Sequence, residues 1–167
     1  MNNYEGVIYY HTFFIYAYVY DIINKRRYIM KMPEVSDEIM FAPCGMNCTI
    51  CYRHCFSKRP CEGCLKGDRD KPKHCRVCKI KDCVREQGYK YCYECGDFPC
   101  KLIKNLERSY KKYKVSLIEN SLTVREKGIG VFILEQREKY KCSECKGIIS
   151  IHDRVCSECN KDYNEIL

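Results

Sequence analysis

The chain has 167 residues, enough for one domain of ordinary size or two small ones. Sixteen of these residues are cysteines, several times the usual proportion, which leaves a disulfide framework or metal ligation as the physical explanation. The formal net charge of +8 counts every thiol as neutral, and four Zn(Cys)4 centres of about −2 each would cancel it. The basic composition is therefore weak support for nucleic-acid binding.

The N-terminal residues favour metal over disulfides. A secretory signal needs a basic first region and a cleavage site with small residues. This chain instead opens Met-Asn-Asn-Tyr-Glu-Gly, and its first apolar run ends Tyr-Ala-Tyr-Val-Tyr-Asp. We therefore expect a cytoplasmic protein in a reducing compartment, with its thiols available to metal ions.

Residues 1–40 contain no cysteine and include an apolar run from Val7 to Ile23. The run is short for a membrane span, carries His11 and Asp21, and is dominated by tyrosine, which prefers interfaces to the bilayer centre. We expect no membrane partner. The run is instead a strand or helix packed on the core, or part of an N-terminal extension translated from an early start codon. Three methionines offer later starts: Met30, Met32 and Met40.

Residues 41–100 hold twelve cysteines among Gly, Pro, Lys and Asp, with almost no apolar periodicity. Hydrophobic burial cannot fold such a stretch, so metal ions must replace the missing core. This region is predicted to be a metal-binding domain.

Residues 101–140 switch to a helical pattern. Asp97 and Pro99 suit the start of a first helix. A second helix is predicted to begin at Ser116, whose hydroxyl can cap while Glu119 reaches back, and to end near Gly128. A third is predicted from Gly130 onward. The apolar face of the first helix consists of Leu102, Ile103, Leu106, Tyr110 and Tyr113.

Residues 141–167 contain two Cys-x2-Cys pairs separated by ten residues: Cys142 with Cys145, and Cys156 with Cys159. Two residues between thiolates let both sulfurs of a tight turn reach one ion, and two such pairs complete a tetrahedron. This spacing predicts a zinc ribbon with a closed, structural site. His152 lies between the pairs with no ligand position left for it, so a surface or packing role is expected.

The twelve central cysteines include further pairs with the same Cys-x2-Cys spacing. Two further four-sulfur sites are predicted from paired knuckles: Cys48, Cys51, Cys61 and Cys64 for one, and Cys75, Cys78, Cys92 and Cys95 for the other. A third site could use the remainder: Cys44, Cys55, Cys83 and Cys100. Pairs can exchange between sites without altering any spacing, and His54 or His74 could replace a thiolate. About four zinc ions are expected in total.

Several phrases resemble a cysteine-rich family of bacteria and archaea known as domain of unknown function 3795. They are Ala42-Pro43-Cys44-Gly45-Met46-Asn47-Cys48-x2-Cys51, Cys61-Glu-Gly-Cys64, Cys78-x4-Cys83 and Cys92-Tyr-Glu-Cys95-Gly-Asp-Phe98-Pro99-Cys100. In that family the first phrase tends to lie near the start of the chain, which implies that residues 1–30 are an extension. Cys55 and Cys75 look like additions to the family pattern. The resemblance implies metal binding and supplies no activity.

The leading functional hypothesis is a zinc protein with structural sites that acts as an interaction module for another protein. The alternative is an iron–sulfur protein in electron transfer or assisting a redox enzyme, with its cluster in residues 44–100. That alternative is motivated by the close triplet Cys44-x3-Cys48-x2-Cys51. A thiol redox enzyme would need a βαβ context that is not visible.

Two other activities have less support. Tyr89, Tyr91 and Tyr93 beside Lys90 could stack on nucleic-acid bases, although alternation of this kind is more typical of one face of a short strand. Candidate acids such as Glu62, Asp68 and Asp70 lie in highly charged loops, and no catalytic constellation is found. The predicted fold is a small metal-stabilised α+β protein: N-terminal extension (1–40), zinc-knuckle domain (41–100), helical linker (101–140) and zinc ribbon (141–167).

Overall fold

The computed structural model describes residues 30–34 and 37–164, so the apolar run at 7–23 lies outside the described residues. The α-helices of this part are α1 (Tyr52–Cys55), α2 (Lys73–Arg76), α3 (Lys79–Glu86), α4 (Lys101–Tyr110), α5 (Leu117–Lys127) and α6 (Ile129–Tyr140). Short 3-10 turns lie at Glu38–Met40, Cys48–Ile50, Cys92–Glu94 and Lys111–Tyr113. None of the helices described is both long and apolar enough to cross a bilayer.

The three helices predicted for residues 101–140 are present, and the start of α5 is fixed from two directions. The Ser116 hydroxyl accepts from the backbone N–H of Glu119 at 3.0 Å, as the sequence predicts for an N-cap. The free N–H groups of Leu117 and Ile118 instead donate to the Glu107 carboxylate, at 2.7 and 3.3 Å. Glu107 belongs to α4, so this carboxylate also ties α4 to α5 at the positive end of the α5 dipole.

The β component of the predicted α+β fold is reduced to isolated bridges. Through residues 30–34 and 37–164 no continuous strand forms, and β pairing is limited to single antiparallel bridges. The bridges join Lys31 to Gly147, Phe41 to Asn47, Lys141 to Ile148, Ile149 to Cys156 and Val155 to Asp162. The described part of the chain is therefore rich in helix. Its cysteine-bearing segments form tight turns and do not pair as extended strands.

The tyrosines at 89–93 do not form the expected strand. This segment is a bend followed by the 3-10 turn Cys92–Glu94. Tyr91 is only 3% exposed, and its ring lies 5.4 Å from Phe41 and 5.3 Å from Tyr93, measured between centroids. The ring centroid of Phe41 lies 5.3 Å from that of Phe132 in α6. The aromatic cluster therefore packs the start of the cysteine region against the last helix.

The C-terminal region packs directly on the first cysteine turn. The backbone N–H of Ile151 donates to the Ile50 carbonyl at 3.0 Å. His152 has the predicted packing role, since its ring lies 4.8 Å from the ring of Tyr113 and 5.2 Å from that of Tyr52. Residues 30–32, which the sequence assigns to an extension, also contribute here: the Met32 N–H donates to the Lys146 carbonyl at 2.9 Å.

Gly45 is the point where the cysteine region and α5 come closest. Its φ is +90°, and a Cβ there would lie 2.2 Å from the Leu117 carbonyl oxygen and 2.4 Å from the Ser121 hydroxyl. The Asn120 side-chain amide donates to the Gly45 carbonyl at 3.0 Å. Both the backbone conformation and the close approach of α5 therefore require glycine.

We expect Gly45→Ala to lower the free energy of unfolding by about 3 kcal/mol, because a strained φ adds to overpacking against the α5 backbone. The measurement is urea unfolding followed by circular dichroism at fixed, saturating zinc. Gly130→Ala is the control: nothing lies within 4 Å of a Cβ at this exposed helical position, so its stability should be unchanged or slightly higher. Equal stabilities of wild type and Gly45→Ala would contradict the close approach.

Candidate metal centres

The four C-terminal thiols converge on one point. The Sγ atoms of Cys142, Cys145, Cys156 and Cys159 all lie within 4.8 Å of one another, and no other group of three or more metal-ligating side chains in the described part of the chain does so. The Cys142 and Cys159 sulfurs are 3.7 Å apart, and those of Cys145 and Cys156 are 3.5 Å apart. A tetrahedral ion with bonds of about 2.3 Å holds its sulfurs about 3.8 Å apart. The spacing therefore fits one ion.

Two copies of the same backbone turn present these sulfurs. In the first, the Lys146 N–H donates to the Cys142 carbonyl at 3.1 Å and the Cys142 N–H to the Gly147 carbonyl at 2.8 Å. In the second, the corresponding bonds run from Asn160 to Cys156 and from Cys156 to Lys161, at 3.1 and 2.9 Å. Lys146 and Asn160 both have positive φ, at 64° and 58°. The turns thus match in hydrogen bonding and in conformation.

Hydrogen-bond donors point at the sulfurs. The backbone N–H of Gly147 donates to Cys145 Sγ at 3.4 Å, that of Glu158 to Cys156 Sγ at 3.5 Å, and the Tyr163 hydroxyl to Cys142 Sγ at 3.1 Å. Such donors stabilise a thiolate more than a thiol. Burial opposes them, but backbone N–H groups and the Tyr163 hydroxyl hold the pKa of Cys142 at about 6. The surroundings therefore suit a bound, anionic sulfur.

A first group of central thiols gathers around Cys64. The sulfurs of Cys48 and Cys64 are 4.0 Å apart, so two of the predicted knuckles meet. Burial raises the pKa of Cys51 to about 11, with a contribution from the neighbouring thiols of Cys61 and Cys64. Burial likewise raises the pKa of Cys75 to about 12, again with contributions from Cys64, Cys51 and Cys61. These five thiols therefore lie near enough to one another to interact electrostatically.

A buried lysine holds the Cys64 loop. The Lys71 side chain is only 1% exposed, and its ammonium donates to the carbonyls of Cys64 and Lys66 at 2.9 and 2.6 Å. The Asp68 carboxylate lies 3.5 Å away and also accepts from Lys81 at 2.9 Å. A buried ammonium needs compensation, and anionic sulfur at Cys64 would supply it together with Asp68.

A second group lies between α3 and α4. Cys83, Cys92, Cys95 and Cys100 line one small cavity of about 40 Å³. The sequence-based grouping placed Cys92 and Cys95 with Cys75 and Cys78 instead. Cys78 packs against the same apolar cluster as Cys92 and Cys100, so it lies near this second group as well.

The remaining candidate ligands have other contacts. Cys55 is buried and its thiol donates to the Thr49 carbonyl at 3.4 Å. Cys44 is partly buried, and burial followed by the thiol of Cys64 raises its pKa. The Nδ1 atom of His54 lies 2.8 Å from the Cys61 carbonyl, and His74 is exposed. No contact in the described residues identifies either histidine as a ligand.

Gly147 is the residue at which the C-terminal cluster tolerates no side chain. A Cβ there would lie 2.7 Å from Cys156 Sγ and 2.9 Å from Glu158 Cγ. We expect Gly147→Ala to weaken zinc binding at this cluster by about 10- to 100-fold, because a displaced sulfur and a disturbed N–H···S bond both act on the ion. Competition with a chromophoric chelator measures the affinity.

Gly96→Ala is the matched control, because Gly96 follows a cysteine turn and nothing lies within 4 Å of its Cβ position. It should bind zinc as the wild type does. If Gly147→Ala also binds zinc with wild-type affinity, these four sulfurs are not held in the arrangement described.

A family model described as "Protein of unknown function (DUF3795)" matches residues 40–105. No curated protein and no solved structure matches the chain. The matched range contains all twelve central cysteines and ends within α4, so the C-terminal cluster lies outside it. The family description assigns no activity. The resemblance read from the sequence is confirmed over residues 40–105.

Proposed function

We propose that this is a zinc-binding protein with structural four-cysteine sites that acts as an interaction module for another protein. The observation that supports it best is the C-terminal cluster, whose four thiols lie within 4.8 Å of one another. Four sulfur ligands leave no coordination position for water or substrate, so such an ion holds the fold and performs no reaction. In this proposal residues 141–167 are a zinc ribbon and the cysteine pairs of residues 41–100 are zinc knuckles.

Zinc is proposed because paired thiolates separated by two residues suit a single tetrahedral ion. An iron–sulfur cluster in residues 44–100 is the second candidate, and the crowding of thiols near Tyr110 favours it. Burial raises the pKa of the Tyr110 hydroxyl, and the thiols of Cys44, Cys51 and Cys48 raise it further. A cluster with several irons uses such a close cysteine triplet.

An exposed apolar strip on α6 supports the interaction role. Val131 is 45% exposed and Leu134 is 51% exposed, although their neighbours Phe132 and Ile133 are buried. Residues three apart lie on the same side of a helix, so these two side chains form one outward face. We propose this α6 face, Val131 and Leu134, as the contact for a protein partner.

Nucleic-acid binding is less well supported than a protein partner. The middle ring of the tyrosine series, Tyr91, is buried against Phe41 and cannot stack on a base. Tyr89 is exposed, and one ring is a small platform for a strand of nucleic acid.

For protein purified without oxygen, we expect about four zinc ions per chain and no absorbance near 400 nm. Each structural zinc contributes on the order of 10–16 kcal/mol of apparent binding free energy, so chelation should abolish the helical circular dichroism signal and added zinc should restore it. Substantial iron with a brown thiolate-to-iron band would move residues 44–100 to the iron–sulfur alternative. A helical signal that survives complete metal removal would contradict a structural role.

For the interaction role, we expect the double variant Val131→Ser, Leu134→Ser to keep its zinc and its helical signal but to lose partners that cross-link to the wild type. Removing the apolar face removes most of the binding free energy that such a contact offers. Leu102→Ser is the control, because Leu102 is 36% exposed on a different helix, α4. Identical cross-linked partners for the wild type and the double variant would exclude the α6 face.

A further inference from the structure

We infer that Cys83, Cys92, Cys95 and Cys100 form a self-contained four-thiolate site for one divalent ion, separate from the group around Cys64. The inference deepens the proposed metal binding, on which it rests, and is independent of the interaction role. It assigns a ligand set that the cysteine spacing does not indicate, because the spacing pairs Cys92 and Cys95 with other knuckles.

The four cysteines come from three different elements that converge. Cys83 lies on α3, Cys92 and Cys95 bracket a 3-10 turn, and Cys100 is the N-cap residue of α4. The turn has the same closing bond as the first knuckle: the Cys95 N–H donates to the Cys92 carbonyl at 3.2 Å, as Cys51 does to Cys48 at 3.2 Å. Two sulfurs from a knuckle and one from each helix supply the four ligands of a tetrahedral ion.

These four residues line the same cavity of about 40 Å³. One water-sized sphere needs roughly 10–15 Å³, so there is room for a single ion. The other lining residues are Val84, Gln87, Tyr89 and Phe98, which leaves sulfur as the main donor on an otherwise apolar wall. A site with these walls has thiolates as its first ligands, which suits zinc better than magnesium or calcium.

The helices stabilise charge in this cavity. Cys100 lies at the positive end of the α4 dipole, which favours a thiolate there. Cys92 is buried in the apolar cluster of Ile80, Val84 and Ile103, and Cys100 packs against the same cluster. A bound dication would let these buried sulfurs ionise.

Metal binding at this site would join α3 to α4. The central sulfurs stand farther apart than those of the C-terminal cluster, where all four lie within 4.8 Å. Cys83 is the exposed member, so an ion would draw it inward over the apolar cluster of Ile80, Val84 and Ile103. The ion would then close the gap that packing leaves between the two helices.

The test counts zinc ions per folded chain by native mass spectrometry, in the full-length protein. Cys83→Ser and Cys92→Ser should each lose about one ion, and the double variant should still lose only one, because both ligands serve the same ion. A double variant that loses two ions would place Cys83 and Cys92 in different sites and overturn the inference. A Cys83→Ser variant with the full wild-type count would overturn it too.

Misfolding is excluded with two further variants. Cys83→His should keep the ion, because imidazole can replace one thiolate in a tetrahedral zinc site. Cys75→Ser combined with Cys92→Ser should lose two ions, whereas the spacing-based grouping predicts one. A wild-type protein without zinc would instead contradict the proposed function itself. Failure of the ligand set and failure of the proposed function are therefore distinguishable.

Discussion

The bond between thiolates and metal ions, which we propose, is the interaction on which the rest of this structure depends. Burial raises the pKa of several central thiols, including Cys51 to about 11 and Cys92 to about 12. At neutral pH such thiols stay protonated until a cation favours the charged form. Metal binding would therefore release protons and supply folding free energy in one step, and the binding free energy would become less favourable as the pH falls.

Packing contacts join the cysteine-bearing segments to one another. Ile151 hydrogen-bonds to Ile50 at 3.0 Å, and His152 lies among tyrosines from α1 and from the turn after α4. Glu107 fixes the start of α5, whose first turn contacts Gly45. Loss of one of the proposed ions would thus affect the structure beyond its own turn, because these contacts join the cysteine-bearing turns to one another.

The sequence was sufficient wherever a pattern is local. The helix α5 is capped by Ser116 at its start and by Gly128 at its end, as predicted. The two C-terminal Cys-x2-Cys pairs converge, as their spacing predicts. Features that join distant residues were not readable. Glu107 caps α5 from another helix, and the packing of α3 places Cys83 at the same cavity as Cys92. The spacing of cysteines along the chain determines which thiols one turn can bring together. Contacts between distant segments determine which turns lie next to each other.

The proposed metal sites share one electrostatic requirement, which is compensation of their negative charge. A four-thiolate zinc site carries a net charge of about −2, and its surroundings must provide positive partners. Lys71 is such a partner: its ammonium is buried, donates to the Cys64 carbonyl at 2.9 Å, and lies beside the first group of thiols. A buried cation with only a half-exposed Asp68 as its carboxylate partner is costly unless the nearby sulfurs are anionic. If the proposed sites are occupied, the formal charge of +8 in part compensates their negative charge.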